Sequence, residues 1–332
     1  MTVGNLQGSP GDWEASVWNI LPGEIQASLV KTPKDVLSRI EELRLRVGQP
    51  LQLLGMDLDA YLGATGVAQG QIDAMVVTLD MISKTMQKAT QASLYAVEED
   101  LRRGYVTVPG GHRIGVAGRV ALFGGGAVKS IRNISSINIR IAREWPGAGT
   151  EVARHMVSRS EAKPLSTLIL SPPGCGKTTM LRDLARQWSE GVVKGQRSGK
   201  KVTIVDERSE IAGSVEGVPQ FRIGPRTDIL DGCPKAEGML MAIRSLSPDI
   251  LVTDEIGRQS DVDAILEALH AGVAVIASAH ASSLSQWRKR PHMDELYATG
   301  SFRRYVLLSR RRGPCTVESV LDQEGLPITR LA

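Results

Sequence analysis

The sequence predicts an α/β protein: a domain with a mainly parallel sheet, preceded by a smaller α+β N-terminal domain. Its 332 residues suit two domains better than one. Near residue 150 the pattern changes from hairpins to strands that alternate with helices, which is typical of a parallel sheet. An apolar strand, a Gly/Pro-rich loop and an amphipathic helix follow one another over residues 165–188. We therefore place the smaller domain at 1–145, a linker at 146–150 and the larger domain at 151–332.

The first part of the chain predicts short helices followed by antiparallel strands. Apolar residues recur at helical spacing between residues 12 and 30, and Pro33 follows Thr32 as at a helix start. Strict alternation over 42–47, a Gly-Gln-Pro turn and an apolar run at 51–54 predict a hairpin. The remaining elements expected here are two helices within 72–103, a second hairpin over 105–116 and a strand over 136–142.

The second part predicts buried strands separated by helices. Trp145-Pro-Gly-Ala-Gly149 breaks the preceding pattern and marks the linker. Short apolar runs then predict parallel strands at 165–170, 201–205, 249–253 and 273–277. Two further runs flank Arg310–Pro314 and predict a hairpin near the end of the chain.

The loop Ser171-Pro-Pro-Gly-Cys-Gly-Lys-Thr-Thr179 carries the clearest chemical signal. Backbone N–H groups of such a loop, and of the helix that follows, point at one small volume and suit a phosphate. Lys177 adds charge for the β- and γ-phosphates, and the Thr178 hydroxyl suits Mg²⁺. Ser171 replaces the first Gly of the motif. The alternative is a chance Gly-rich turn, which the flanking strand and helix disfavour. The expected nucleotide contacts are Pro173, Gly174, Cys175, Gly176, Lys177, Thr178 and Thr179.

Acidic residues and a histidine follow the later strands. Asp254 is predicted to reach Mg²⁺, and Glu255 to activate the water that attacks the γ-phosphate. The alternative is an ordinary acidic strand end. Because strand C-termini line the ligand crevice of open α/β sheets, Asp206, Glu207, Glu210 and His280 are also expected near the γ-phosphate. For Asp206, Glu207 and Glu210 the alternative is a solvated charged loop. For His280 the alternative is a histidine with a structural role only.

Composition excludes several classes of protein. Three widely spaced cysteines indicate neither a disulfide framework nor a C-x-x-C metal site, and they suit a reducing compartment. No basic cluster followed by an apolar run opens the chain, and the longest apolar run, 271–279, falls short of the ~20 residues that span a bilayer. We therefore expect a cytoplasmic protein whose membrane role, if any, is peripheral. A net charge of +4 and an aromatic content of 4% argue against nucleic-acid binding as the function.

The four motifs in this order resemble those of the secretion ATPase superfamily, the motors of type II and type IV secretion and of type IV pili. The phosphate loop of that superfamily is matched by residues 171–179, and its acidic box by Asp206, Glu207 and Glu210. Its Pro-Asp strand is matched by Pro248, Asp249 and Glu255, and its histidine box by Gly272 and His280. The resemblance implies a RecA-like P-loop ATPase domain, ATP and Mg²⁺ as ligands, and a homo-oligomer in the form of a hexameric ring.

Four segments resemble a narrower family, that of the stage III sporulation protein AA. They are 42–50, 108–115, 205–212 and 253–257, and the likeness extends over roughly residues 35–320. It implies an ATPase of endospore formation, in the cytoplasm of the mother cell. Such a protein is expected to power or assemble a channel complex between mother cell and forespore. Its partners would be membrane-anchored channel proteins, and it would be peripheral to the membrane.

The ring implied by the resemblance requires basic groups from elsewhere to cover each nucleotide, because phosphoryl transfer spreads negative charge over the γ-oxygens. The candidates in the first domain are Arg113, Arg132, Arg140 and Arg143. We favour Arg140 as a catalytic residue, together with Arg143, because both precede the linker; the alternative is a surface arginine. Two other functions stay open: a nucleic-acid-stimulated P-loop ATPase, and a nucleotide-dependent scaffold without hydrolysis, against which Glu255 argues.

Overall fold

The computed structural model describes residues 12–55, 57–90, 98–158, 163–196 and 198–330. By its internal contacts the chain divides into two compact units, Met1–Arg143 and Glu144–Ala332. The linker expected at 146–150 remains a prediction. Among the described residues, no helix combines the length and the apolar character needed to cross a membrane.

The first unit combines short helices with an antiparallel sheet, as predicted. Its helices are α1 (Asp12–Ile20), α2 (Gly23–Val30), α3 (Lys34–Leu37), α4 (Leu79–Ala89) and α5 (Glu98–Arg102). Its strands are β1 (Glu42–Arg46), β2 (Gln52–Gly55), β3 (Leu58–Gly63), β4 (Gly66–Val67), β5 (Tyr105–Val108), β6 (His112–Leu122) and β7 (Val128–Arg140). They pair in the order β4-β3-β2-β1-β7-β6-β5. Both expected hairpins are present, and the part of the two-helix prediction at 91–97 lies outside the described residues.

One face of this sheet packs on the helices. Leu43 and Leu45 of β1 are fully buried and lie opposite Ile139 and Ile137 of β7, whereas the alternate residues of this strand are only partly buried. The helices contribute buried side chains to the same core, among them Val17, Leu29, Ile82 and Met86, and Leu21 between α1 and α2 is buried there as well. Full burial of each such side chain stabilises the fold by about 1.5–3 kcal/mol. Strand alternation therefore sets the orientation of the sheet.

The hairpin of β6 and β7 changes character halfway along. Its proximal half is part of the core, with Ile114 paired to Ile139. The register then shifts between Ala117 and Arg119, where a Cβ on Gly118 would lie 2.7 Å from the Asn133 carbonyl oxygen. Asn133 itself has a φ of 47°. Such a bulge bends the strands and changes their twist, so it separates the distal half of the hairpin from the sheet.

His112 is a buried imidazole at the start of β6. Its Nδ1 accepts a hydrogen bond from the Ala142 N–H at 3.0 Å, and its Nε2 lies 2.7 Å from the Ser16 hydroxyl oxygen. Because Nδ1 accepts, the ring proton resides on Nε2 and the ring is neutral. Burial lowers the pKa of His112 from 6.5 to about 4.

We expect acid to destabilise the first unit through His112. A lowered native pKa means that the unfolded chain binds the proton more readily, so the stability present above pH 6.5 is lost as the pH falls towards 4. The loss amounts to about 3 kcal/mol. His112→Gln cannot titrate and should lose less over this range. Opening free energies from amide exchange in β6 and β7 at pH 7 and pH 4.5 test this, and equal losses in both proteins would contradict it.

The second unit alternates strands and helices. Its strands are β8 (Thr167–Ser171), β9 (Val202–Asp206), β10 (Thr227–Asp231), β11 (Ile250–Thr253), β12 (Ala274–His280), β13 (Arg304–Ser309), β14 (Thr316–Leu321) and β15 (Pro327–Arg330). Its helices are α6 (Thr150–Ala153), α7 (Lys177–Glu190), α8 (Lys235–Ser245), α9 (Gln259–His270), α10 (Leu284–Arg288) and α11 (Met293–Ala298). The sheet order is β10-β9-β11-β12-β8-β13-β14-β15, with parallel pairing from β10 to β13 and antiparallel pairing beyond.

This arrangement confirms the predicted mainly parallel α/β sheet. The four expected strands are β8, β9, β11 and β12, and the hairpin expected near the end is β13 and β14. Alternate residues of the central strands enter two cores, so Ile169 packs with α7 and Leu168 packs with α8 and α9. A strand buried on both faces is apolar throughout, which explains the continuous runs in the sequence. The strand β10 was not predicted, because its polar composition is typical of a sheet edge.

Candidate active site

The phosphate loop connects the end of β8 to the start of α7. Gly174 and Gly176 have φ angles of 73° and 91°, a region that glycine adopts without strain. Gly176 is the N-cap of α7, and no side chain caps this helix. The first backbone N–H groups of α7 therefore have no intrahelical acceptor and point towards the loop. This geometry suits an anion, and the nucleotide contacts expected from the motif remain predictions.

The turn between β13 and β14 braces this loop. The Cys315 N–H donates to the Cys175 carbonyl at 2.9 Å, and the Cys315 Sγ lies 3.4 Å from the Gly176 carbonyl oxygen. A Cβ on Gly176 would lie 2.5 Å from that sulfur. The Arg310 Nη1 is 3.7 Å from the position of a Cβ on Gly174. Neither Cys315 nor Arg310 was predicted as a neighbour of the loop, because no local motif marks them.

Lys177 is buried at the start of α7 and its ammonium group is held by the strand ends. Its Nζ lies 3.2 Å from the Pro172 carbonyl oxygen and 3.4 Å from both the Ser171 carbonyl oxygen and the Ser171 hydroxyl. Ser171, which replaces the first Gly of the motif, thus contacts the lysine. Burial lowers the pKa of Lys177, and Glu255 acts in the opposite direction.

His280 joins Lys177 to Glu255. The Lys177 Nζ donates to His280 Nδ1 at 2.8 Å, and His280 Nε2 lies 2.6 Å from Glu255 Oε1. An ammonium group has no acceptor site, so Nδ1 accepts and Nε2 carries the ring proton. The second carboxylate oxygen of Glu255 accepts from Arg208 at 3.0 Å. Both oxygens of the predicted base are therefore engaged.

The backbone of Glu255 is turned to present this carboxylate. Its φ of 41° is left-handed, a conformation that costs a non-glycine residue about 1 kcal/mol or more. The Glu255 N–H donates to the Ser278 hydroxyl at 3.1 Å, and its carbonyl accepts from the Lys235 ammonium at 3.1 Å. These bonds hold the strained conformation at the end of β11. Neither Lys235 nor Arg208 was predicted at this site from the sequence.

Asp254 is a buried carboxylate beside Lys235. The two charges are 3.8 Å apart, and Lys235 also lies 3.4 Å from Glu207. Burial raises the pKa of Asp254 to about 6, which Lys235 only partly counteracts. The fold thus leaves negative charge at this point incompletely compensated, which suits a cation ligand. The Thr178 hydroxyl is carried by the first turn of α7.

The acidic box divides between two roles. Asp206 is fully buried and accepts backbone N–H bonds from Glu210, Ile211 and Ala212 at 2.8–2.9 Å. Its carboxylate therefore supports the loop, and its expected position beside the γ-phosphate remains a prediction. The Glu210 carbonyl accepts from Arg182 at 2.9 Å, and the Glu210 charge acts on both Lys177 and Asp254. Its catalytic role remains a prediction.

Two expectations concern residues outside this cluster. Arg140 ends β7 in the first unit, where its Nε lies 3.3 Å from the Glu42 carboxylate, so its role in a neighbouring site remains a prediction. In the second unit, the Gly147 and Gly149 N–H groups donate to Asp183 of α7 at 3.1 and 2.7 Å. That carboxylate fastens part of the expected linker to the helix that follows the phosphate loop.

The parallel sheet, the phosphate loop after β8 and the acids after β11 define a RecA-like P-loop fold. The X-ray structure of the ATPase DotB from Legionella pneumophila is similar, with a TM-score of 0.55 over 86% of this chain and 77% of that one, at 13% identity. The ATPase DotB from Yersinia pseudotuberculosis gives a TM-score of 0.53 over 86% and 76%, also at 13% identity. Similarity at this identity concerns the fold, and it confirms the predicted fold class.

The chain belongs to the stage III sporulation protein AA family. The model of the family described as "Sporulation stage III, protein AA" matches residues 12–328. The Stage III sporulation protein AA of Bacillus subtilis (strain 168) is 45% identical over 311 residues, which are 94% of this chain and 96% of that relative. The family resemblance stated from the motifs is thereby confirmed. The chain is thus a member of a sporulation stage III family, and its fold is similar to that of the ATPase DotB.

We expect the charge on Asp254 to cost stability at neutral pH. Its native pKa of about 6 exceeds the ordinary 3.8, so a contribution present below pH 3.8 is lost as the pH rises through 6. The loss is about 3 kcal/mol. Relative to the parent, Asp254→Asn should therefore gain up to this amount between pH 4 and pH 7. Urea unfolding without metal or nucleotide measures it, with Asp228→Asn, at an exposed position of β10, as control. A difference that is independent of pH would contradict this account.

Proposed function

We propose that this chain is a Mg²⁺-dependent ATPase that hydrolyses ATP to ADP and phosphate. The observation that supports this most directly is the single imidazole between Lys177 and Glu255. One of these groups suits the phosphates of a nucleotide and the other suits the attacking water. His280 joins the two groups by hydrogen bonds, so a movement of Lys177 changes the hydrogen bonding of Glu255.

The residues fit a nucleotide and its metal. The uncapped start of α7 and the two left-handed glycines form a cradle for phosphate oxygens. Thr178 and Asp254 would hold Mg²⁺, since Asp254 carries a buried charge that a cation would compensate. When bound, Mg²⁺ supplies positive charge that offsets the charge developing on the γ-phosphate oxygens.

The hydrogen bonds imply what each side chain does as nucleotide binds. Phosphate oxygens would attract Lys177 away from His280 Nδ1, because a charged acceptor binds an ammonium group more strongly than a neutral imidazole does. The ring is then free to turn and to release Glu255 Oε1 from its Nε2–H. That oxygen becomes available to take a proton from water, while Arg208 keeps the other carboxylate oxygen in place.

We extend the proposal to the whole assembly. A homo-hexameric ring would let Arg140 of one subunit reach the nucleotide of the next, with Glu210 and His280 acting beside Glu255. The ring would power or assemble a channel complex between mother cell and forespore. It would act from the cytoplasm, peripheral to the membrane and against membrane-anchored sporulation proteins. Membership of the sporulation family and the secretion ATPase fold support this proposal.

We expect Lys177 and Glu255 variants to separate binding from hydrolysis. Lys177→Ala removes the phosphate charge and should abolish Mg²⁺–ATP binding. Glu255→Gln should keep binding but lower turnover by about 10²–10⁴-fold, the usual contribution of a general base. Binding of a fluorescent ATP analogue and phosphate release measure the two effects.

The matched control is Glu267→Gln, an exposed acid on α9 that should leave both readouts unchanged. If Glu255→Gln keeps full turnover while Lys177→Ala loses it, Glu255 is not the base, and Glu210 becomes the better assignment. Phosphate release that requires DNA or RNA would favour the nucleic-acid-stimulated alternative.

We expect Arg140 to act across subunits. Arg140→Ala should lose turnover although its own phosphate loop is intact. Mixing it with Lys177→Ala subunits, which retain Arg140, should restore phosphate release well above either variant alone. Mass measurement of Glu255→Gln with Mg²⁺–ATP should show a hexamer. A mixture that stays inactive in assembled rings would exclude Arg140 from this role.

A further inference from the structure

The stretch from Leu101 to Arg143 carries charge of one sign. It holds eight of the 40 Lys and Arg residues of the chain and none of the 36 Asp and Glu residues. The nearest acids are Glu98, Glu99 and Asp100 just before it and Glu144 just after it. The stretch includes all of the hairpin formed by β6 and β7. Five of the eight basic residues lie in the hairpin, so a chain with a net charge of only +4 carries a local excess of positive charge there.

The distal half of that hairpin, beyond the bulge at Gly118, ends in exposed apolar side chains. Val120 is 49% exposed, Leu122 58%, Phe123 46% and Val128 40%. The Phe123 N–H donates to the Ala127 carbonyl at 2.8 Å and closes the turn, which contains three consecutive glycines. Exposed apolar side chains grouped at one tip indicate a surface that is covered in use.

The cations lie behind this tip and face one another. Arg119 and Arg132 are directly opposite in the register of the two strands, and like charges in that position destabilise a hairpin. Among the described residues, no carboxylate forms an ion pair with either arginine. The other such pair, Arg113 and Arg140, has the Glu42 carboxylate beside Arg140. The distal pair thus lacks the compensation that the proximal pair has, and an external anion would supply it.

The aromatic ring at the tip is flanked by further cations. The Lys129 ammonium and the Arg102 guanidinium lie 5.7 and 5.9 Å from the centre of the Phe123 ring. Positive charge therefore lies beside the apolar side chains of the tip and, at Arg119 and Arg132, further along the strands. A group of apolar and basic side chains of this kind suits the surface of an anionic bilayer, in which acyl chains lie beneath phosphate groups.

We propose that the β6–β7 tip inserts into an anionic lipid surface. Leu122, Phe123 and Val128 enter the boundary between headgroups and acyl chains, and Arg119, Lys129 and Arg132 bind lipid phosphates. A nucleic acid would satisfy the same cations but would leave the apolar tip in water, so lipid is the better match. This contact surface deepens the peripheral membrane position in the proposed function, and it does not depend on nucleotide hydrolysis.

The test uses the full chain without nucleotide and vesicles of phosphatidylcholine with or without 30 mol% phosphatidylglycerol, a composition on the scale of natural anionic membranes. We expect sedimentation with the anionic vesicles only, and weaker sedimentation as salt is raised. Leu122→Ser with Phe123→Ser should reduce binding at least about tenfold. Arg119→Ser with Arg132→Ser should reduce it roughly twentyfold at low salt. The matched control, Val192→Ser with Arg290→Ser, changes exposed positions of the second unit and should bind as the parent does.

A second measurement guards against a misfolded variant. Phe123→Trp should gain fluorescence quenching by brominated lipids that the parent lacks. The Lys177→Ala chain should still bind vesicles, so failure of the ATPase proposal and failure of this one are distinguishable. The proposal is wrong if the parent ignores anionic vesicles or if the tip tryptophan stays unquenched. It is also wrong if the hairpin variants lose only DNA binding, or lose only self-association.

Discussion

The register between β8 and β12 is the constraint on which the active site depends. His280 is paired with Ser171, so the end of one strand lies beside the start of the phosphate loop. Side chains alternate between the two faces of a strand, and a slip of one residue would turn His280 to the opposite face. Lys177 would then lose its imidazole neighbour, and Glu255 would lose its connection to the loop. Burial on both faces prevents that slip, because it would exchange the residues of the two cores.

Electrostatic cost is concentrated at this edge of the sheet. The side chains of Lys177, Asp254 and Lys235 are all buried. Burial lowers the pKa of Lys177 and raises the pKa of Asp254, so it disfavours the charged form of each. Removing charges from water is unfavourable unless they meet partners of opposite sign or hydrogen bonds. Here the partners are shared: Lys235 serves two carboxylates and one carbonyl. The protein thus keeps a poorly compensated cluster of charges where a triphosphate and a divalent ion would complete it.

The sequence predicts the local features of this site well and the distant ones poorly. Apolar runs located β8, β9, β11 and β12, and the phosphate loop followed from residue spacing alone. The sequence did not predict Lys235, Arg208 and Cys315 at this site. Each reaches it through tertiary packing, and no local sequence motif marks any of them. His280 was expected after its strand, yet β12 extends to include it, because Ser171 offers it a partner that only the sheet order reveals. The three backbone hydrogen bonds by which Asp206 supports its loop were not predicted either, because they depend on the folded shape of that loop.

The support that Cys315 gives to the phosphate loop has a consequence for biosynthesis. The sulfur lies 139 positions downstream of the Gly176 carbonyl that it contacts. Strand β8 is likewise flanked by β12 and β13, both made long after it. Domains emerging from the ribosome fold as their parts become available. A nascent chain that has exposed the whole loop, but not yet the β13–β14 hairpin, therefore lacks the contacts that support the loop. The loop gains them only after the chain has been synthesised as far as Cys315.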